Sequence, residues 1–556
     1  MIESATKKTS VTSRRQEIEQ RLADFGLTRG PRRLFRGEKT ADFEEPRSLR
    51  LRGALESLGP IFCSFGLYMS SRVDLWPVQD CLDLATIRDR APATPASAVR
   101  RLLTREIDCS PEDTFMRFEE EPFESRLLFQ SHHAQLNNGA EVIVKIIHPE
   151  VEDPLLNDVD LLSLLRDSFT GPALSGSAFK SAVADFCHTL HQQLDFVHEA
   201  RAFEVLAQDA EEYEVLRIPL VHRALCTSKV FVIEKLDGLR LDSLLPSQGG
   251  AGCDADSRTL LRSVGFERNE LARLLCEVWL IQTLRGRCFP VEPHPQNILV
   301  LPGKQIAFTD GAFASFPTEP QANLWDYLIA AANENSDRAC ACLLGEMRRE
   351  GASDKRDEVR LRFRQAMPFR DGGWGACSDN QSFAELLFVH WRFASECGYL
   401  PLMHLPAFYR GLFSLADTAR RLAPEADPLT EGLRDARLIA GLNGFRDLIG
   451  QRQFVDQMDR YAAMLTDLPQ SLDGALTLAS EGRARFTRHA ADSAKHHRAG
   501  TSLAMIVALL LVLAAVVLLS HYIAATAVAG AWANRINVAA FMIFGALLLR
   551  AVGRAE

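Results

Sequence analysis

The chain has 556 residues, of which 47% are hydrophobic, and it carries a formal net charge of -9 at pH 7. This length is enough for a two-lobed domain with additional helices, and the acidic balance argues against a nucleic-acid partner. The 12 cysteines are scattered and only Cys340 and Cys342 lie close together, which argues against a disulfide or zinc framework and favours a reducing compartment.

The first 110 residues are predicted to be mostly helical. Residues 1–45 read as a polar lead-in with one short amphipathic helix at 14–25, and they lack the apolar core of a signal peptide. From residue 51 onward the apolar periodicity predicts helices, including 78–89 and 96–106.

A strand, a loop and a second strand are predicted over residues 115–145. Asn137-Asn138-Gly139 is typical of a hairpin turn, and it leads into an apolar strand at 141–147 that carries Lys145. Two interpretations of Lys145 stay open at this point. It either grips a phosphate group or is an ordinary lysine of an edge strand.

Two carboxylates follow on a predicted helix. Residues 191–200 read HQQLDFVHEA, a helical pattern that places Asp195 and Glu199 on one face. Either side chain is a candidate partner for Lys145, and the alternative is a solvated acidic face. Further along, a buried strand is predicted at 230–234, ending in Glu234 where the chain would connect two lobes.

A stretch near the middle of the chain has the layout of a phosphoryl-transfer site. Glu292 lies five positions before Asn297, and Asp310 follows after two apolar runs separated by Pro302-Gly303. In protein kinases the acid of this loop orients the acceptor, while the Asn and the later Asp hold the metal ions. Glu292 is therefore predicted to be catalytic, and Asn297 and Asp310 are predicted to bind Mg²⁺. Helices are predicted from there to about residue 465, at 321–334, 338–350, 382–397 and 405–422, and an earlier helix is predicted at 155–168.

Motifs in five windows resemble the UbiB/AarF family of atypical kinases. Residues 290–297 read PVEPHPQN where that family has H-A-D-P-H-P-G-N. Residues 58–77 follow its L-G-P and S-x-R-x-D-x-x-P motifs, and 122–136 and 193–200 match two further motifs in part. The resemblance implies an α+β, protein-kinase-like bilobal fold with an N-terminal helical extension, and ATP and Mg²⁺ as cofactors. It makes Lys145 a catalytic residue that also binds the nucleotide.

The loop that would cover the phosphates departs from the family pattern. The family has small Ala and Ser side chains there, whereas this chain has Glu124-Ser125-Arg126-Leu127, which obstructs close approach of the backbone to phosphate. Arg126 is a candidate phosphate ligand through its side chain. Glu199 beside Lys145 and Glu234 at the adenine hinge complete the predicted nucleotide contacts.

Other departures affect the predicted activity. The family's Lys and Gln in the N-terminal extension are Ser64 and Leu67 here, the His of its loop is Pro290 and an acidic residue is Gln193. Glu292 replaces an Asp, which lengthens the side chain by about 1.5 Å, and a displacement of about 1 Å can cost roughly 10²-fold in rate.

Two functions therefore stay open. One is a membrane-anchored atypical kinase or ATPase that supports isoprenoid-quinone (ubiquinone) biosynthesis, as the resemblance implies. The other is a catalytically silent pseudokinase scaffold that binds lipid or partner enzymes at the membrane. A weaker third is a small-molecule phosphotransferase, from a loose similarity of the loop to aminoglycoside-type kinases. The resemblance implies quinone-biosynthesis enzymes or an isoprenoid lipid as partners and leaves a homodimer open.

The C-terminus is predicted to form a transmembrane helical hairpin. Residues 502–523 read SLAMIVALLLVLAAVVLLSHYI, which is long enough to span a bilayer, and a shorter apolar run at 536–549 either spans or is re-entrant. Basic residues before the first run place the N-terminal body in the cytoplasm of a bacterium, at its inner membrane. The predicted domains are a lead-in (1–45), a helical extension (46–110), a kinase-like N-lobe (111–235), a helical C-lobe (236–465), a basic juxtamembrane segment (466–500) and the transmembrane hairpin (501–556).

Overall fold

The computed structural model describes residues 2–27, 45–108, 110–151, 158–169, 174–211, 213–245, 255–349, 359–361, 363 and 382–436. The chain divides into two units, Met1–Asp447 and Leu448–Glu556, and every described residue belongs to the first. The predicted juxtamembrane segment and transmembrane hairpin lie outside the described residues. None of the described helices is long and apolar enough to cross a membrane.

The described part is a mixed α+β fold, as predicted. The α-helices are α1 (Ile2–Asp24), α2 (Arg47–Leu58), α3 (Pro60–Met69), α4 (Val78–Leu84), α5 (Ala96–Ile107), α6 (Pro111–Thr114), α7 (Gly176–Gln193), α8 (Phe196–Ala210), α9 (Leu241–Leu244), α10 (Ala255–Ser263), α11 (Arg268–Arg285), α12 (Thr318–Ala332), α13 (Ser336–Gly345), α14 (Phe383–Glu396) and α15 (His404–Leu422). The strands are β1 (Phe115–Phe118), β2 (Glu124–Ser125), β3 (Phe129–Leu136), β4 (Glu141–Ile147), β5 (Leu216–Arg217), β6 (Val230–Glu234), β7 (Leu239–Arg240), β8 (Phe289–Pro290), β9 (Ile298–Leu301), β10 (Gln305–Phe308), β11 (Phe313–Ala314), β12 (Met347–Arg349) and β13 (Tyr399–Pro401).

The first sheet places Lys145 at its centre. Its strands run antiparallel in the order β1-β3-β4-β6, with β2 paired to β3, and Lys145 lies opposite Ser131 and Phe231. Because side chains alternate along a strand, Val142, Val144 and Ile146 enter a small core together with α5 residues. Lys145 therefore points to the opposite face, toward the second lobe.

The second sheet frames the predicted catalytic loop. Its order is β5-β10-β9-β7, and β9 and β10 form a hairpin whose turn contains Gly303 at φ +78°. A left-handed backbone of this kind suits glycine, which has no Cβ to clash. The hairpin sets Asn297, just before β9, close in space to the segment that follows β10. The loop acid and the two metal-ligand candidates thus come from one rigid support.

A buried ion pair within the N-terminal extension lies where the extension packs on the kinase-like part. Arg72 and Asp74 are 2% and 0% exposed and are joined by two hydrogen bonds of 2.8 Å. From α14, Arg392 donates a hydrogen bond of 3.1 Å to the carbonyl of Val73. Helix α3 packs against α7, so the extension lies over the region that precedes the acidic helix α8.

The structure differs from the predictions at four elements. The helix predicted at 191–200 is interrupted, because α7 ends at Gln193 and α8 begins at Phe196. The helix predicted to reach residue 350 ends at Gly345, and β12 then pairs with β13. Residues 162–168, predicted as α-helix, form a 3₁₀-helix instead. The first helix is longer than predicted, since it begins at Ile2.

Candidate functional site

Lys145 bonds a carboxylate of its own lobe, Glu199, and a carboxylate of the other lobe, Asp310. Its Nζ donates a hydrogen bond of 2.9 Å to Glu199 Oε1 and one of 2.6 Å to Asp310 Oδ1. All three side chains are buried, and Lys145 is only 3% exposed. The rings of Phe129 and Phe231 lie 5.4 and 5.2 Å from the ammonium and exclude water from it. The lysine is therefore neither solvated nor at a sheet edge.

The helix break between α7 and α8 decides which acid pairs with Lys145. Asp195 is the N-cap of α8, and its side chain accepts a hydrogen bond from the backbone N–H of Val197. Its carboxylate is thereby held at the helix end. Glu199, one turn further along, is 9% exposed and reaches the ammonium. Of the two predicted candidates the structure brings Glu199 to Lys145, and Glu199 does not lie on a solvated face.

Burial and charge set the protonation of this cluster. Burial raises the pKa of Glu199 to about 7, although the nearby Lys145 opposes that shift. Burial would also raise the pKa of Asp310, but Lys145 and Arg126 outweigh it and hold that pKa below its ordinary value. Burial lowers the pKa of Lys145, and the two carboxylates more than reverse this. Asp310 is therefore the ionised partner at neutral pH, and Glu199 titrates there.

Glu199→Gln is expected to flatten the pH dependence of stability between about pH 5 and pH 8. The folded-state pKa of Glu199 lies above its ordinary value of 4.5, so the folded protein binds more protons than the unfolded chain in this window. Its contribution to stability is complete below the unfolded pKa and is lost as pH rises through about 7. Urea unfolding should show the wild-type-minus-variant difference in the free energy of unfolding falling by on the order of 1–3 kcal/mol across that range. A difference that does not change with pH would contradict this.

The loop that carries Arg126 closes over Asp310. Arg126 Nη1 lies 3.5 Å from Asp310 Oδ2 and 3.8 Å from Asp89 Oδ2, and its Nη2 donates a hydrogen bond of 3.2 Å to Glu124. The backbone of the loop is fixed as well, since the N–H of Leu127 donates to Asp89 Oδ1 at 3.1 Å. Arg126 is 8% exposed. Here it binds carboxylates of its own chain, so a phosphate would have to displace those contacts.

The catalytic-loop residues leave one acceptor unused. Asn297 lies at the end of a 3₁₀ turn (Pro295–Asn297) and is 3% exposed. Its Nδ2 donates a hydrogen bond of 3.2 Å to the carbonyl of Glu292, whereas its Oδ1 is buried with no hydrogen-bond partner among the described residues. Buried oxygens of this kind are normally paired. Such an orphaned oxygen beside the Asp310 carboxylate fits Mg²⁺, which takes oxygen ligands from one or two side chains and completes its shell with phosphates and waters.

A cavity of about 110 Å³ lies beside these groups. Its lining residues come from the extension, from the loop that carries Arg126, from α7, α8 and α15, and from the catalytic loop and the segment after β10; they include Leu67, Tyr68, Phe186, Phe196, Glu292 and Arg410. Ser64 and Gln193 line it too, so the extension covers the site from outside the two lobes. The side chain of Glu292 is 38% exposed into this space, and the enclosing walls desolvate it and raise its pKa.

A large part of this chain is similar in sequence to known proteins. Residues 86–343 match the ABC1 atypical kinase-like domain. The chain is 30% identical over 294 residues to the probable protein kinase UbiB of Pseudomonas putida, covering 52% of each protein, and 31% identical over 296 residues to that of Pseudomonas aeruginosa, again covering 52% of each. Residues 86–343 are thus a divergent ABC1 atypical kinase-like domain, similar to that of UbiB proteins.

Other relatives are more distant. Protein ACTIVITY OF BC1 COMPLEX KINASE 7, chloroplastic, from Arabidopsis thaliana is 27% identical over 314 residues, covering 56% of this chain and 43% of that protein. The chain spans about half the length of the curated relatives it matches. A solved structure, the Rv3197–erythromycin complex from Mycobacterium tuberculosis, is similar over 56% of this chain and 82% of its own, with a TM-score of 0.37 and 19% identity.

Within this UbiB/ABC1 domain, one predicted nucleotide contact lies apart from the others. The carboxylate of Glu234 accepts hydrogen bonds of 2.9 Å from Arg217 and of 3.0 Å from the backbone N–H of Leu220. It does not line the cavity. Its side chain thus fixes the end of β6, and a contact with adenine stays a prediction.

Two functional residues were missed from the sequence. Arg410 on α15 and Asp89, which follows α4, both line the cavity. Gly411 lets α15 approach α11 closely, since a Cβ at that position would lie 2.6 Å from the Trp279 ring. That contact sets the neighbouring Arg410 beside the catalytic loop. Sequence periodicity marks α15 as amphipathic but does not show which element it packs against.

Proposed function

We propose that this chain binds a magnesium nucleotide in the cleft between its lobes and acts as an ATP-dependent atypical kinase or ATPase. The observation that supports this most strongly is the bridge from Lys145 to both Glu199 and Asp310, in which a strand lysine of one lobe meets an acid of the other. In kinases the Lys–Glu pair and the metal-binding Asp must both be in place for phosphoryl transfer. Here the ammonium of Lys145 hydrogen-bonds to both carboxylates.

Each residue then has a distinct task. Lys145 would hold the nucleotide phosphates, and Asn297 Oδ1 with the Asp310 carboxylate would hold Mg²⁺, which neutralises charge on those phosphates. Glu292 would orient an acceptor and accept its proton, since its raised pKa brings it closer to the operating pH of a general base. Asn297 and Asp310 are two ligands, and phosphates and waters would complete the shell of the ion. The described residues contain no cluster of three or more His, Cys, Asp or Glu side chains that could bind a metal by themselves.

A second candidate is a silent pseudokinase scaffold at the membrane. The observation that favours it is the ion pair between Arg126 and Asp310, in which the chain places its own cation against the carboxylate that metal would need. Pro290 also offers no imidazole to the loop, and its carbonyl accepts a hydrogen bond from Trp279. The two candidates share one fold and differ in whether nucleotide can displace Arg126.

The cellular role rests on the family resemblance and on the apolar C-terminal sequence. We propose that the chain supports isoprenoid-quinone biosynthesis from the cytoplasmic face of a bacterial inner membrane, anchored through residues 501–556 and working with quinone-biosynthesis enzymes or an isoprenoid lipid. Quinone content in a strain that lacks the chain tests this role, and an unchanged content would contradict it.

Nucleotide binding is tested by a thermal-shift titration with Mg-ADP and Mg-ATP. The wild-type chain should be stabilised, by about 2.7 kcal/mol at a nucleotide concentration a hundred times the dissociation constant, because ligand binds only the folded state. Asp310→Asn should abolish the shift. The matched control Asp326→Asn alters an exposed carboxylate that pairs with Arg338, and it should respond like wild type. No shift in the wild-type chain at millimolar nucleotide would overturn the kinase proposal and favour the scaffold.

A further inference from the structure

Arg410 is a buried cation without a hydrogen-bond acceptor. It is 7% exposed, and none of the described residues accepts a hydrogen bond from its guanidinium. The nearest carboxylate oxygen is Glu292 Oε1, 3.6 Å from its Nε. The guanidinium lies over the ring of Tyr68, 5.7 Å from the ring centre. The guanidinium, which carries five N–H donors, is thus held at the cavity with its buried Nε–H unpaired.

This arrangement contrasts with that of Arg72, a fully buried arginine nearby. Arg72 makes two hydrogen bonds of 2.8 Å to Asp74 and one of 2.9 Å to the Tyr68 hydroxyl. Taking a charge out of water costs several kcal/mol unless good partners replace the lost hydration. The described residues supply hydrogen-bond acceptors to Arg72, whereas Arg410 has only the more distant carboxylate of Glu292. An acceptor from outside the chain would complete the coordination of Arg410.

The cavity around Arg410 combines that cation with apolar walls. Leu67, Phe186 and Phe196 form its apolar side, and the side chain of Glu292 is 38% exposed into it. Its other side is lined by the carboxylates of the candidate site, including Glu199 and Asp310, so the apolar side next to Arg410 is where an anion would fit. Its volume, about 110 Å³, is comparable with a cavity of about 150 Å³ that binds benzene. Such a space accepts a small ligand body next to a charged group. Helices α3 and α7 form part of its wall, and its volume leaves no room for a folded protein partner.

We propose that this cavity binds a small organic anion, with Arg410 holding its carboxylate or phosphate and the aromatic walls holding its apolar body. Guanidinium groups match these planar or tetrahedral anions with paired hydrogen bonds, which is the geometry that Arg410 lacks at present. The ligand body then lies beside Glu292. Identifying this anion as the acceptor of the reaction rests on the proposed function, whereas the binding site itself does not.

The test measures binding of benzoate, benzamide, phenyl phosphate and inorganic phosphate to the full chain by calorimetry, without nucleotide. Benzoate or phenyl phosphate should bind at least tenfold more tightly than neutral benzamide, because only the anions complete the guanidinium. The stronger of the two identifies the anionic group. Arg410→Met should lose tenfold or more of this affinity, and Arg410→Lys should retain part of it. Arg420→Met, which changes an exposed arginine of the same helix, should bind like wild type.

Several results would overturn the proposal. Equal affinity for benzoate, phenyl phosphate and benzamide would show that the cation is not used. Unchanged anion binding in Arg410→Met would place the site elsewhere, and binding of inorganic phosphate alone would point to nucleotide phosphate as the occupant. If Arg410→Met does not fold, Arg410→Lys decides, since an affinity equal to wild type would exclude a paired guanidinium contact.

The proposal and the kinase function fail separately. Anion binding that depends on Arg410, in a chain that Mg-ADP does not stabilise, would refute the kinase function and keep the anion site. Stabilisation by Mg-ADP that is lost in Asp310→Asn, without anion binding, would refute the anion site alone.

Discussion

Lys145→Met is expected to lower the free energy of unfolding by about 3–5 kcal/mol at pH 8. The substitution removes an ammonium that bonds two buried carboxylates, Glu199 and Asp310, at 2.9 and 2.6 Å. Arg126, 3.5 Å from Asp310, is the cation left beside them, and it compensates in part. Breaking a buried pair costs more than the pair itself contributes, because an uncompensated charge stays in the interior. Urea unfolding monitored by tryptophan fluorescence measures the loss.

The loss should become smaller as pH falls. The ammonium lowers the pKa of Glu199, so its removal lets that carboxyl take up a proton more readily. A protonated Glu199 no longer needs a cation, and the cost at about pH 6 should be visibly below the cost at pH 8. The double variant Lys145→Met/Glu199→Gln should recover part of the loss at pH 8, with a coupling of about 0.5–3 kcal/mol.

An exposed lysine provides the matched control for Lys145→Met. Lys304 pairs with Glu270 at the surface, where its side chain is 53% exposed, and Lys304→Met should change stability by about 1 kcal/mol or less. If Lys145→Met costs no more than this control, the ammonium does not bridge the lobes and the proposed function loses its main support.

Local sequence signals were sufficient for the element that carries Lys145. The strand predicted at 141–147 has those bounds in the structure, because an apolar run begins directly after the Asn137-Asn138-Gly139 turn. The predicted strand at 230–234 also agrees with β6. Hairpin turns and short apolar runs are local features, so neither element needed tertiary information.

Other features depend on contacts between distant parts of the chain. The interruption before α8 was missed because Asp195 suits a helix surface as well as an N-cap, and only the packing of Phe196 in the core separates the two. The pairing of β12 with β13 joins segments about fifty residues apart, and no local pattern marks it. Arg410 reaches the catalytic loop through the close approach of α15 to α11, which sequence spacing does not encode.

The family resemblance predicted that Lys145 would meet Asp310 in the cleft and left two acids, Asp195 and Glu199, as its further partner, and the structure brings Lys145, Glu199 and Asp310 together there. It did not predict the ion pair of Arg126 with Asp310. Arg126 was considered only as a ligand for an external phosphate. Neighbouring acids, Glu124 and Asp89, hold its guanidinium within the site instead, and this charge balance decides whether the site is open to metal.

Arg126→Gln is expected to raise the affinity of the chain for Mn²⁺ by about ten- to a hundredfold. Its guanidinium lies 3.5 Å from Asp310 Oδ2, and two unit charges about 4 Å apart near a protein surface interact by about 4 kcal/mol, so the positive charge of Arg126 opposes a metal ion at this carboxylate. Removing the guanidinium leaves Asp310 held by Lys145 at its other oxygen, Oδ1. The measurement is Mn²⁺ titration by electron paramagnetic resonance in the absence of nucleotide, which does not depend on activity.

Arg240→Gln separates this effect from a general gain in negative charge. Arg240 also lies 3.3 Å from Glu124, but it has no contact with Asp310, so its loss should leave Mn²⁺ affinity within about threefold of wild type. Adding Asp310→Asn to Arg126→Gln should abolish the gain, because the freed carboxylate is the ligand.

Equal Mn²⁺ affinity in Arg126→Gln and wild type would show that Arg126 does not compete with metal. A loss of Mg-ADP affinity with Mn²⁺ binding unchanged would instead make Arg126 a phosphate ligand. If Arg126 neutralises Asp310, the native site binds metal weakly, and one substitution strengthens that binding. An intact kinase would bind metal well without the substitution, and a scaffold that has lost its metal ligands would not bind it even with the substitution.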